Sequence, residues 1–263
     1  KEKNYIEMIE SPKNIKSNNI YLLRAIAVLS VIAYHYFPST LNHGYLAVDI
    51  FFVISGFLIS KSLSNRSMSA SFKVSQFYFE RIKRILPPLM TLILLCFILG
   101  LVIFRQPANV IIAKEGLNGL TFLSNYYYFL TINYFDLDSN LRPFLHLWSL
   151  AVEEQFYLFA PIVFLKRSKY KDIALITLAT TSYIFYQTSP TNYSFYFFTH
   201  RAWQFFLGYL AFRVSKKVSK PYCLFFSFFV AAIFLIEDDI LSFQFRLHLL
   251  MSFTFFSLAT SDI

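Results

Sequence analysis

Arg24 and His35 are the first residues whose types and spacing could do chemistry, and they lie eleven positions apart in one apolar run. Eleven steps of 100° bring both side chains to one face of a helix, about 16 Å apart along its axis. Such a pair could hold the two ends of one elongated ligand. Two simpler interpretations stay open: Arg24 could extend its cation to the membrane surface, and His35 could be an interfacial ring bonded to backbone.

Asp49 favours a catalytic interpretation of His35. The turn PSTLNHGYL returns the chain, so that Asp49 enters the next apolar run only a few residues from the same outer surface as His35. A carboxylate that hydrogen-bonds an imidazole fixes its tautomer and raises its basicity, as a general base acting on a hydroxyl requires. His43, nearer the tip of the turn, is predicted to be solvated.

A second group of polar residues occurs in the run HLWSLAVEEQFYLFAP. Helical spacing places four of them on one polar face: His146, Ser149, Glu153 and Tyr157. Glu154 falls instead among leucines and needs a partner from another helix. Either glutamate could be a second carboxylate of the site or an ion-pair partner for Arg201.

A third group, Arg81, Lys83 and Arg84, directly precedes an apolar run in FYFERIKRILPPL. Two arginines one turn apart at a cavity mouth can bind the oxygens of a diphosphate. The alternative is an ordinary positively charged flank of a membrane span. Four further site candidates are Ser55, His146, Trp148 and Arg201.

The composition indicates whether these residues belong to a soluble or a membrane protein. The 263 residues are 56% hydrophobic and only 15% charged, with a mean hydropathy of +0.50. Soluble domains carry roughly 25% charged residues, so a soluble domain is nearly excluded and an integral membrane protein is predicted. The net charge of +9 does not indicate nucleic-acid binding, because the cations lie between apolar runs.

Eight apolar runs are long enough to be membrane spans, each of which needs about 20 residues or slightly fewer. The predicted fold is therefore an all-helical bundle of about eight spans. A charged side chain left facing lipid at a helix centre would cost about 2.5–3.5 kcal/mol, so the ionisable residues within these runs must face one another or water. The runs are residues 20–37, 46–63, 86–104, 146–165, 172–187, 195–212, 222–236 and 240–258, and the ionisable residues are Arg24, Asp49, Glu153, Glu154, Arg201 and Arg246.

A ninth run, 109–132, is interrupted by polar residues and is interpreted as a re-entrant or interfacial element on the outer side. With eight spans, 18 of the 24 lysines and arginines fall on one side, which predicts a cytoplasmic N-terminus. Nine spans remain the alternative. We expect residues 1–19 to be a cytoplasmic segment and residues 20–263 a transmembrane domain that is incomplete at its C-terminus. The two cysteines and the candidate carboxylates lack metal-ligand spacing, so no metal is predicted.

Several motifs together resemble the acyltransferase-3 family of integral membrane acyltransferases, over about residues 20–260. They are YLLRAIAVLSVIAYH, GYLAVDIFFVISGFLI, ERIKRILPPL, PFLHLWSLAVEEQFYLFAP and RAWQFFLGYLAF. Two positions depart from the family pattern: Ala47 replaces a usual glycine, and Gln204 replaces a frequent glutamate. Some stretches are most similar to the subgroup with an additional SGNH hydrolase-type domain, which this sequence lacks.

The resemblance implies transfer of an acyl group, usually acetyl, from cytoplasmic acyl-CoA to a sugar hydroxyl outside the bacterial inner membrane. It assigns Arg24 and His35 to catalysis, and Arg81 and Arg84 to the cytoplasmic entrance of the donor. The expected acceptor is a surface glycan such as a lipopolysaccharide O-antigen.

The resulting hypothesis is a membrane O-acyltransferase with His35 as base and Asp49 orienting it. Arg24 would steady the donor, while Glu153 or Glu154 would tune the polar site. A secondary transporter or flippase, with the same buried charges lining a substrate path, is the alternative. A noncatalytic anchor for a lost domain is a third possibility.

Overall fold

The computed structural model describes residues 18–37, 43–67, 72–103, 108–131, 142–165, 169–215 and 243–259. These residues form helices and connecting turns without any strand, which confirms the all-helical prediction for this part of the chain. The helices are α1 (Asn18–Tyr36), α2 (Ala47–Arg66), α3 (Val74–Ile103), α4 (Ala108–Leu120), α5 (Ser124–Thr131), α6 (Leu147–Leu165), α7 (Lys171–Thr188), α8 (Thr191–Tyr196), α9 (Phe198–Val214) and α10 (Phe243–Ala259), with a 3-10 turn at Gly44–Leu46.

Two stretches of the described chain are long and apolar enough to cross a bilayer, namely Gly44–Arg66 and Val74–Ile103. A third apolar helix, Ile20–Tyr36, is shorter. The predicted total of eight spans therefore stays a prediction. The predicted span 222–236 lies outside the described residues.

The run 109–132 forms two short helices, α4 of 13 residues and α5 of 8 residues. Phe122, between them, has a φ of 54°, a left-handed conformation in which the chain turns sharply. Neither helix approaches the roughly 20 residues of a membrane span. This agrees with a re-entrant or interfacial element. The predicted span 195–212 is interrupted in the same way, because α8 ends at Tyr196 before α9 begins.

The chain divides into two compact units. The first comprises residues 1–50 and 214–263, and the second comprises residues 51–213. In the first unit the 3-10 turn packs against α1. A Cβ atom added to Gly44 would lie only 2.3 Å from the carbonyl oxygen of Ser30. The rings of Tyr34 and Tyr45 meet edge to face beside this contact, with centroids 5.4 Å apart.

In the second unit, α2 and α9 cross with their backbones in close approach. A Cβ atom on Gly56 would lie 2.0 Å from the carbonyl oxygen of Phe205, and one on Gly208 would lie 2.1 Å from that of Val53. Small residues allow this approach in apolar helix pairs. The Phe205 ring stacks on Phe156 of α6 with centroids 4.2 Å apart, so three helices meet at this level.

The outer flank of the second unit joins α3 to α4 and α6. Its buried core consists of apolar residues from all three helices and the preceding turn, namely Leu89, Ile112, Phe144 and Leu147. Most of α3 is different, because only 11% of its most apolar 18-residue window is buried. Such an apolar and exposed helix is suited to contact with lipid.

Candidate functional site

Glu153 is the centre of a polar cluster in the second unit. Its Oε1 atom accepts hydrogen bonds from the hydroxyls of Ser55 and Tyr157. The Tyr157 hydroxyl also lies 3.3 Å from the Ser55 oxygen. Glu153 and Tyr157 are one helical turn apart on α6, and the Gly56–Phe205 contact fixes the neighbouring Ser55 on α2. A carboxylate that accepts hydrogen bonds from two hydroxyls is placed to transfer protons to and from them.

Arg81 of α3 joins the same cluster through the face of an aromatic ring. Its guanidinium lies 4.2 Å from the centre of the Tyr157 ring and 5.6 Å from that of Phe77. The Tyr78 hydroxyl donates to the carbonyl of Leu158 at 2.7 Å and ties α3 to α6 nearby. A cation over an aromatic face is attracted by the negative potential of the ring. The cluster therefore contains Ser55, Glu153, Tyr157 and Arg81.

The two arginines predicted to bind the donor have different environments. Arg81 is half-buried against Tyr157, whereas Arg84, one turn further along α3, is exposed. Arg84 thus leaves its guanidinium accessible to a soluble anion, while Arg81 connects this helix to Glu153.

Glu154 and Ser149 form no described hydrogen bond with the Glu153 cluster. The Oε1 atom of Glu154 is buried without a hydrogen-bond partner in the described structure. Ser149 donates to the backbone carbonyl of His146 at 3.1 Å, and the His146 side chain is exposed. The single face drawn from helical spacing therefore applies to Glu153 and Tyr157 but not to the whole set.

Arg201 is buried among aromatic rings. Its Nε–H donates to the carbonyl of Phe195 at 3.1 Å, and its guanidinium lies 5.9 Å from the Trp148 ring centre and 5.2 Å from those of Tyr186 and Phe195. Trp148 is only 2% exposed and also contacts Phe195, with centroids 4.4 Å apart. These contacts give both residues a packing role in the second unit.

Gln204 follows Trp203 on α9 at the position where the family often has glutamate. The residue is fully buried, and both polar atoms of its amide lack a hydrogen-bond partner in the described structure. A neutral amide costs less than a carboxylate in such a place. The exchange therefore suits an apolar interior, and nothing in the sequence signalled how deeply this residue is buried.

In the first unit, α1 carries Arg24 and His35, and Asp49 lies in the first turn of α2. Arg24 is half-buried and His35 is exposed. Asp49 is 3% exposed. A hydrogen bond between His35 and Asp49 stays a prediction. The prediction of a solvated His43 is wrong, because the close packing of the Gly44 turn on α1 leaves His43 only 8% exposed.

Glu115 and Arg142 form a buried ion pair that was not predicted from the sequence. Glu115 of α4 is fully buried, and its Oε1 accepts a hydrogen bond from Arg142 at 2.9 Å. Burial raises the pKa of the Glu115 carboxyl, and Arg142 opposes this shift. The two residues are 27 positions apart, so helical spacing gives no sign that they meet. This pair fixes α4 to the turn before α6.

Within the described ranges, no group of three or more histidine, cysteine, aspartate or glutamate side chains could hold a metal ion.

A family model for an acyltransferase domain matches residues 17–261. The chain belongs to the acyltransferase-3 family. This match confirms the resemblance drawn from the five motifs. Arg24, His35, Arg81 and Glu153 all lie within the matched region.

Two of three similar proteins carry the name O-acetyltransferase. An uncharacterised protein from Haemophilus influenzae is 40% identical over 152 residues, covering 57% of this chain and 62% of its own length. A Staphylococcus aureus strain COL protein with the provisional name O-acetyltransferase is 41% identical over 144 residues, or 54% of this chain and 23% of its own. O-acetyltransferase OatA from Staphylococcus aureus strain NCTC 8325 is 38% identical over the same shares.

The chain spans less than two thirds of the length of these relatives. No solved structure gives a significant match.

Proposed function

We propose that the chain is the membrane part of an O-acyltransferase. It transfers an acyl group, in the first instance acetyl, from acyl-CoA on the cytoplasmic side to a hydroxyl of a cell-surface glycan on the outer side. The membrane is the bacterial inner membrane, and the N-terminus is cytoplasmic. The observation that carries the proposal is the family match over residues 17–261, with relatives named as O-acetyltransferases.

The proposed chemistry begins at His35. Its imidazole accepts the proton of the acceptor hydroxyl as the oxygen attacks the thioester carbonyl carbon. The carbon–sulfur bond then breaks, and the CoA thiolate leaves with the proton returned from the imidazolium. Asp49 fixes the tautomer of His35. Arg24, on the same face of α1, holds the donor.

The second unit supplies donor binding in this proposal. The exposed Arg84 binds phosphate oxygens, for which a guanidinium offers a planar pair of donors. Arg81 belongs to the same entrance and is held by the ring of Tyr157. The carboxylates of Glu153 and Glu154 keep the site next to Arg81 polar.

The test is transfer of label from radiolabelled acetyl-CoA to membrane glycans by the full-length protein. His35→Ala should reduce transfer by about 10²–10⁴-fold, as for loss of a general base. Tyr36→Ala is the matched control, because Tyr36 is the next residue on α1 and is 77% exposed. Near-normal transfer by a folded His35→Ala protein would contradict the role of His35.

The same assay separates acyl transfer from transport. Movement of the labelled substrate across the membrane without formation of an O-acyl product, by the intact protein, would favour a transporter or flippase and overturn the proposal.

A further inference from the structure

The second unit contains a cavity of about 580 Å³ at the ends of α2, α6 and α9. Three cations line it, namely Lys169, Lys171 and Arg213. Hydroxyl groups of serines on α2 and of Tyr209 add polar lining, and Phe164 and Phe212 add apolar lining. Its three cations lie outside the five sequence motifs.

The cavity has an excess of positive charge. Among the described residues that line it, Asp172 is the one acid, and its carboxylate is already hydrogen-bonded. It accepts hydrogen bonds from Arg213 at 2.8 Å and from the Tyr209 hydroxyl at 2.5 Å. Lys171 donates to the carbonyl of Phe164 and lies 5.7 Å from the Tyr209 ring centre. The described lining residues thus carry a net charge of two positive units, which matches the charge of a phosphate dianion.

The position of the cavity relates it to the Glu153 cluster. On α2, Ser60 lies five residues after Ser55, and on α6, Phe164 lies seven residues after Tyr157. At 1.5 Å per residue these offsets are about 7 and 10 Å along the two helices. The distribution of lysines and arginines predicts that this end of the helices faces the cytoplasm.

We propose that this cavity binds a phosphate group of an anionic ligand, at a site distinct from Arg81 and Arg84. Lys169 and Lys171 supply the charge, and Arg213, oriented by Asp172, adds guanidinium donors at the rim. Either the CoA portion of the acyl donor or the headgroup of an anionic phospholipid carries such a phosphate. The assignment to the donor rests on the proposed function, whereas phosphate binding does not.

The experiment measures equilibrium binding of CoA and of short-chain phosphatidic acid to the purified full-length protein. Lys169→Gln should weaken binding of the phosphate compound by about tenfold, because it removes one charge-assisted contact. Arg213→Gln should do the same. Lys169→Gln is the cleaner variant, since it leaves the Arg213–Asp172 ion pair intact. Lys73→Gln is the control, because Lys73 is an exposed cation outside the cavity.

A loss of CoA affinity in both variants, but not in Lys73→Gln, supports the proposal with the donor as ligand. A loss confined to phosphatidic acid supports phosphate binding with a lipid as its source. Unchanged affinity for both compounds, in variants that melt at the wild-type temperature, overturns the proposal. Failure of the proposed function gives a different result. The intact protein would then form no O-acyl product, although it would still bind the phosphate compounds through Lys169.

Discussion

The guanidinium of Arg81 lies 4.2 Å above the ring of Tyr157, and the hydroxyl of the same ring donates to Glu153. One aromatic side chain therefore links a cation on α3 to a carboxylate on α6. The Tyr157 side chain is buried and Glu153 is half-buried. Electrostatic interactions are stronger there than in water, so a change in the ring or its hydroxyl should reach both charged partners.

Tyr157→Phe separates the two functions of this side chain. The phenylalanine ring keeps the contact with Arg81, but Glu153 loses one of its two hydroxyl donors. We expect the free energy of unfolding to fall by about 1.5–3 kcal/mol, as for a hydrogen bond to a charged group. Thermal unfolding in detergent measures this loss. Tyr157→Leu should destabilise further, because it also removes the ring under Arg81.

Tyr193→Phe is the control for Tyr157→Phe, since Tyr193 is 43% exposed. Tyr157→Phe could have the same melting temperature as the wild-type protein while Tyr157→Leu has a lower one. In that case the hydrogen bond from Tyr157 to Glu153 contributes nothing to stability, and the aromatic ring alone stabilises the fold.

The contact between Glu153 and Tyr157 was accessible from sequence because it lies within one helix. Residues four apart share a helical face, and both are polar residues within a largely apolar run. Ser55 is 98 positions away from Glu153, so its contact depends on how α2 packs against α6. Helical periodicity shows which residues of one helix share a face, but not which residues of another helix that face contacts. The Ser55 contact was therefore beyond the sequence argument, although the residue itself was a candidate.

His43 shows how tertiary packing overrides a local argument. A histidine in a polar turn is usually solvated, yet this turn presses on α1 where Gly44 has no side chain. The different environments of Arg81 and Arg84 have a similar cause. Charge and spacing predict a pair, but the structure gives an aromatic partner to the residue that faces α6.

Gly56→Ala should disrupt the crossing of α2 and α9. The new methyl group would lie 2.0 Å from the carbonyl oxygen of Phe205, and backbone atoms cannot move aside as a flexible side chain does. We expect a destabilisation of about 1–3 kcal/mol, typical of overpacking, measured as a lower melting temperature. Transfer activity should fall with it, because Ser55 is the neighbouring residue.

Gly100→Ala is the matched control for this crossing. Its new methyl group would meet the end of the flexible Ile112 side chain, at 2.9 Å, which can rotate away. Equal melting temperatures for the two alanine variants would show that α2 and α9 do not depend on backbone contact at Gly56.

The Glu115 carboxyl should make stability depend on pH. Burial raises its pKa above the ordinary value of 4.5. A carboxyl whose pKa is higher in the folded state contributes stability that is fully present below its unfolded pKa and is lost as the pH rises through the folded value. Melting temperatures measured upward from about pH 4.5 should therefore decline.

Glu115→Gln should remove this part of the pH dependence, because an amide does not titrate. Arg142→Gln should steepen it, since Arg142 favours the ionised carboxylate. A wild-type melting profile identical in slope to that of Glu115→Gln would show that this carboxyl ionises equally in both states.

Gly44→Ala tests whether the turn before α2 positions the proposed catalytic residues. Its methyl group would lie 2.3 Å from the Ser30 carbonyl oxygen and 2.6 Å from the Tyr34 Cβ, so the turn must move away from α1. His35 follows Tyr34 directly, and Asp49 lies in the first turn of α2, the helix that follows the turn. Because a displacement of about 1 Å can cost up to 10² in rate, transfer should fall by tenfold or more.

Ala47→Gly is the control for Gly44→Ala, because it restores the residue usual in the family and adds no atom. It should retain transfer, with a stability cost of at most about 1 kcal/mol for glycine in a helix. A folded Gly44→Ala protein with wild-type transfer would mean that the positions of His35 and Asp49 do not depend on this turn. Loss of transfer with an unchanged KM for the donor would place the effect on the chemical step.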